Sequence, residues 1–66
     1  MEYIRLTSPK DLESKRVKKE LEDLIMSGVK TYEIKLIFEF VGDFQMLKNK
    51  FQVMKNRLAF NRDNIN

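Results

Sequence analysis

From Thr31 to Phe40 the chain alternates with period two: Tyr32, Ile34, Leu36, Phe38 and Phe40 fall on one side, Thr31, Glu33, Lys35, Ile37 and Glu39 on the other. Successive side chains of a strand point to opposite faces, so this run makes one apolar face and one mostly charged face. Wound as a helix, the same residues would put Glu33 amid the apolar arc. The spacing therefore predicts a strand over 31–40, and the lone Ile37 on the charged face points to partial cover there. A strand of this kind must find both a partner edge and something to cover its apolar side.

The first candidate partner is residues 2–6, where Ile4 and Leu6 alternate with Tyr3 and Arg5. Between the two strands the sequence predicts a helix over about 9–27. Ser8 offers a hydroxyl as N-cap, Pro9 fits the first helical position, and Asp11 stands where a carboxylate can reach back to the cap. Val17, Leu21, Leu24 and Ile25 supply its buried stripe, and Gly28 is placed to end it in the left-handed conformation. Its basic run, Lys15 to Lys19, is followed by Glu20, Glu22 and Asp23 at i,i+4 from Arg16, Lys18 and Lys19, the pattern of a solvated helix face. Glu20 and Asp23 alone fall short of the ligand count that Mg²⁺ or Ca²⁺ requires.

The final segment, over about 44–60, follows Gly42 and a plausible N-cap, Asp43. Phe44, Leu47, Phe51, Met54 and Leu58 recur at steps of three and four and form one stripe of a helix. Met46, Val53 and Phe60 repeat every seven residues on nearly the opposite side, so one covering surface cannot bury both lines. Between the stripes lies a row of amides, Gln45, Asn49, Gln52 and Asn56, edged by Lys48 and Lys55. Residues 44–62 carry five basic groups and no acid, in a chain whose net charge is +3.

These elements define an α/β (α+β) domain of order β-α-β-α over residues 1–60, with 61–66 read as a disordered tail. The stretch between the strands is long enough for a parallel crossover. The sheet is expected to be completed by a second copy, because two strands rarely hold alone and a 66-residue chain buries little surface by itself. An all-α alternative exists: Leu24 to Ile34 has the spacing of a helix-turn-helix, with Gly28 at the turn.

The chain has no Cys and no His, which removes disulfides, thiolate metal sites and imidazole chemistry. None of its hydroxyls sits in a Gly-rich elbow or near a base by spacing, and Gly28 and Gly42 cannot make a phosphate cradle. Glu33 and Glu39 lie about 20 Å apart along a strand, too far for paired-carboxylate chemistry. The expectation is a binding protein without enzymatic activity, metal or cofactor. With no signal-like N-terminus and no apolar run near the roughly 20 residues of a membrane span, a cytoplasmic location is expected.

Two kinds of partner fit. In the first, a homodimer presents Gln45, Lys48, Asn49, Gln52, Lys55 and Asn56 to nucleic acid, as a transcription regulator would, with amides reading bases and lysines neutralising phosphates. In the second, Met46, Val53 and Phe60 dock on a larger protein, as in a small inhibitor or assembly factor.

Overall fold

The structure is a computed structural model that describes residues 1–64. In order, the chain forms β1 (Glu2–Leu6), a 3-10 turn (Pro9–Glu13), α1 (Lys15–Met26), a second 3-10 turn (Thr31–Glu33), β2 (Ile34–Phe38) and α2 (Gln45–Asp63). The strands pair in parallel, with Ile4 opposite Leu36 and Leu6 opposite Phe38. This is the small β-α-β-α domain the sequence predicts. The helix-turn-helix alternative is overturned, because residues that would form its second helix are strand β2.

One face of the sheet carries Ile4, Leu6 and Ile34, which join Leu12, Val17, Leu21, Ile25 and Phe51 in a single buried cluster. The helices thus cover the even-numbered face, and Tyr3, Arg5, Lys35 and Ile37 remain exposed on the other. At the end of β2, Phe38 stacks on Phe44 at 4.2 Å between ring centroids, and Phe40 meets both rings edge-on. These aromatic contacts fix the direction in which the chain leaves the sheet to begin α2.

Four boundaries differ from expectation, each for a local reason. The helix predicted over 9–27 breaks at Ser14, whose side chain accepts a hydrogen bond from Val17 N–H and caps α1. An unbroken helix would carry Leu12 nearly opposite Leu21; the break resets the phase, so both are buried. Ser8 makes no side-chain cap, and Asp11 instead accepts from the Thr7 N–H at 3.0 Å. The strand predicted over 31–40 is paired only along the five residues matched by β1, and Tyr32 lies exposed in the preceding turn.

At the other end, Asn61, Arg62 and Asp63 of the predicted tail are the last turn of α2, because Arg62 is tied to α1. Ile65 and Asn66 lie outside the described residues. One capping expectation does hold. Gly28 has φ of +92°, and the bonds Gly28 N–H to Ile25 C=O and Val29 N–H to Leu24 C=O close α1 as a Schellman motif. Asp43, expected as the N-cap of α2, lies one residue ahead of it: Phe44 holds the cap position without a side-chain cap, and the Asp43 carboxylate accepts from Gln45 N–H at 3.1 Å in the turn that leads in.

Candidate binding surface on the final helix

Three rows run along α2, and the fold treats each differently. The inward row holds Phe51, Leu47, Met54 and Leu58, packed on or within the core. At the same helical phases stand two cations. Lys55, four residues after Phe51, is only 5% exposed. Its Nζ donates to the carbonyls of Thr31 and Ile34, each at 3.1 Å, and lies 4.9 Å from the centre of the Phe51 ring. Burial, with the charge of Lys35 adding to it, pushes the Lys55 ammonium below its usual range. Arg62 donates from Nη1 to Ile25 C=O at 3.0 Å, a carbonyl in the last turn of α1.

Lys55 therefore leaves the predicted nucleic-acid surface. It faces inward because the apolar seam runs at phases that include position 55, and the carbonyls at the start of β2 need a donor there. Arg62 is likewise engaged within the fold. The five basic groups of this segment reduce to Lys48, Lys50 and Arg57 as exposed cations, and none of the three forms an ion pair among the described residues.

The amide row is exposed, as expected, and its members are linked in two pairs. Gln45 Nε2 donates to Asn49 Oδ1 and Gln52 Nε2 donates to Asn56 Oδ1, both at 2.9 Å. Such i,i+4 pairs stabilise a helix by a few tenths of a kcal/mol, about 0.2–0.5. Each pair uses one of the two Gln N–H donors and one of the two Asn Oδ1 lone pairs, so every amide of the row keeps a donor and an acceptor free.

The third row, Met46, Val53 and Phe60, is 68%, 55% and 67% exposed. Seven-residue spacing places these side chains about 10 Å apart along the helix. Asn49 and Asn56 flank the row on one side, each three residues after an apolar member; Lys50 and Arg57 flank it on the other, four residues after. The cationic flank opens into a groove of about 510 Å³ between α2 and the start of α1. Leu12, Val53 and Met54 line it together with Lys18, Lys50 and Arg57, against the single acid Glu13.

Lys18 was missed in sequence because Glu22 stands four residues after it, and that pairing was expected to neutralise it. In the structure only Arg16 of the basic run forms its i,i+4 bridge, to Glu20 at 3.0 Å. Among the described residues there is no group of three acidic side chains able to hold a metal ion, and no helix is long and apolar enough to cross a membrane. Comparisons with protein-family models, with curated proteins and with solved structures find no match to this chain.

Proposed function

We propose that this chain is a cytoplasmic, non-enzymatic binding protein that docks on another protein through the outward side of α2. The partner presents an apolar cleft to Met46, Val53 and Phe60 and acidic groups to Lys50, Arg57 and Lys18. The observation that carries this reading is the exposed line of Met46, Val53 and Phe60 on a helix whose other apolar row is already buried. An apolar centre with a charged rim is the usual anatomy of a protein interface, and Met and Phe adapt well to a cleft. A small inhibitor or an assembly factor has this form.

The test is capture from an extract of the source cell on immobilised wild-type protein and on Val53→Asp. The expected result is a partner held by the wild type after nuclease treatment and lost from the variant. A second reading, nucleic-acid binding in transcription regulation, is favoured by the unpaired cations around the groove. Contacts from Lys18, Lys50 and Arg57 to three phosphates would give log K against log salt a slope of about −2.7. In that case Lys50→Glu weakens binding to all sequences alike, nuclease abolishes capture, and Val53→Asp has little effect.

A further inference from the structure

Each outer edge of the two-stranded sheet has one carbonyl taken by a cation from a helix. At β1 the Arg16 guanidinium donates to Arg5 C=O at 2.7 Å, and α1 runs beside the edge across a groove lined by Tyr3, Arg5, Glu20 and Asp23. At β2 Lys55 donates to Ile34 C=O. The rest of the β2 edge is different. Glu39 N–H donates to Leu6 C=O at 3.0 Å, so the odd-numbered residues of β2 turn their backbone groups toward β1. Ile34, Leu36 and Phe38 then turn theirs outward. Ile34 is satisfied, its N–H by Thr31 C=O and its C=O by Lys55. The outward N–H and C=O groups of Leu36 and Phe38 make no hydrogen bond among the described residues.

That open segment is complementary to itself. The exposed face of β2 reads Lys35, Ile37, Glu39, with an apolar side chain at the centre and opposite charges on either side. The geometry points to a homodimer in which β2 pairs antiparallel with β2 of a second copy, with Ile37 facing Ile37 on the two-fold axis. In this register Leu36 exchanges both backbone bonds with Phe38 of the second copy, and Phe38 with its Leu36. Lys35 faces Glu39, and Glu39 faces Lys35. Both charged pairs and the Ile37 pair fall at the non-hydrogen-bonded positions, where opposed side chains approach most closely, about 4.5 Å between Cα atoms.

A two-fold interface needs a surface complementary to itself, and a residue pattern with opposite charges placed symmetrically about an apolar centre meets that requirement. The pairing also covers what the single chain leaves open. Ile37 is 37% exposed, and Leu36, Phe38 and Phe40 are half-buried. Glu39 keeps its contact with Arg5, at 3.6 Å on the same face, and gains Lys35 of the second copy on its other side. The product is a continuous four-stranded sheet in the order β1-β2-β2-β1, past the size at which a sheet becomes independently stable. The β1 edge is the poorer candidate, since strand addition there displaces the Arg16 bond and enters the groove beside α1. This dimer uses residues separate from the α2 surface, so either can fail without the other.

The experiment is sedimentation velocity over a concentration series for the wild type, Lys35→Glu, Glu39→Lys and an equimolar mixture of the two variants, with circular dichroism to verify folding. Each variant alone sets like charges opposite one another in both symmetric pairs, and its dissociation constant rises roughly tenfold. In the mixture a chain with acids at both positions meets a chain with bases at both, and association returns to the wild-type level or above. If one single variant does not fold, the double variant Lys35→Glu/Glu39→Lys carries the same test, because it restores opposite charges in the same register. A wild type that stays monomeric through the series overturns the proposal. So does a dimer indifferent to both reversals, or one lost on Val53→Asp, which would place the seam on α2.

Discussion

The two helices of this domain are built by different rules. In α1 residue type and position agree: Val17, Leu21 and Ile25 are buried, Leu24 is half-buried, and nearly everything else is charged and exposed. Except for Met26, an apolar side chain left exposed at its last position, the needs of the fold account for this helix. In α2 two of the positions that face the interior hold cations, Lys55 and Arg62, while three apolar side chains face water. The inward cations answer to the backbone, since Lys55 serves the start of β2 and Arg62 serves the end of α1. The outward apolar row stays mostly exposed among the described residues. Where a helix inverts the ordinary placement, the fold explains the inner half of the inversion and not the outer half, which is what the proposed docking role addresses.

The sharpest way to break this contrast is truncation on each helix. Leu21→Ala empties a fully buried site in α1 and is expected to cost about 2 to 5 kcal/mol, enough to unfold much of a domain this small. Val53→Ala, on the outward row of α2, is expected to shift stability by no more than about 0.5 kcal/mol. Urea titration followed by circular dichroism measures both. Should Val53→Ala prove as damaging as Leu21→Ala, the outward row is buried in solution, by a second copy or otherwise, and it is not a vacant docking surface.

Lys48 and Lys55 sharpen the comparison within α2, because they stand one heptad apart with the same side chain. Lys48 is exposed and Lys55 is buried under the start of β2. Lys55→Met keeps most of the stem but leaves the Thr31 and Ile34 carbonyls without their donor, a loss of about 1 to 2 kcal/mol. Lys48→Met is expected within about 0.5 kcal/mol of the wild type. Equal effects from the two substitutions would mean that the Lys55 hydrogen bonds add nothing to stability.

Much of the fold was legible because its strongest signals are periodic. The alternation around Ile34 to Phe38, the α1 stripe and Gly28 each specify a backbone state almost without reference to the rest of the chain. Leu12 was not legible in that way, because its burial depends on a break at Ser14 that only tertiary packing rewards. Lys55 was misread for a related reason. The seam was traced through apolar residues alone, although the steps from Phe51 to 55, 58 and 62 place two cations on it. A long side chain with an apolar stem can follow such a seam when a carbonyl waits at its end, and nothing local in the sequence announces that carbonyl. The exposure of the outward row Met46, Val53 and Phe60 was legible from spacing, since the seven-residue repeat sets it nearly opposite the seam that the core buries.

The smallest expected effect separates the anchors of the two helices by pH. Asp11 lies ahead of α1 and is held down to about 2 from the ordinary 3.8, chiefly by the Thr7 N–H, with the Ser14 hydroxyl and the Arg16 guanidinium adding to it. In that interval the unfolded chain binds the proton more readily. The stability that Asp11 contributes is thus present in full above 3.8 and lost as pH falls through about 2. Lys55 works at the other end of the scale. Its folded ammonium ionises below 10.5, so between the folded value and 10.5 the unfolded chain again holds more protons, and stability rises with pH through that window. Other carboxylates and lysines titrate nearby, so the measurement is a difference between proteins. Relative to Asp11→Asn, the wild type should lose its advantage only in acid. Relative to Lys55→Met, it should gain only on the approach to 10.5. Thermal melts at pH 2, 4, 7 and 10 suffice to see both. A wild type that tracks Lys55→Met throughout would show that Lys55 is as well solvated when folded as when unfolded, and the inward cation that distinguishes α2 from α1 would then be a surface residue after all.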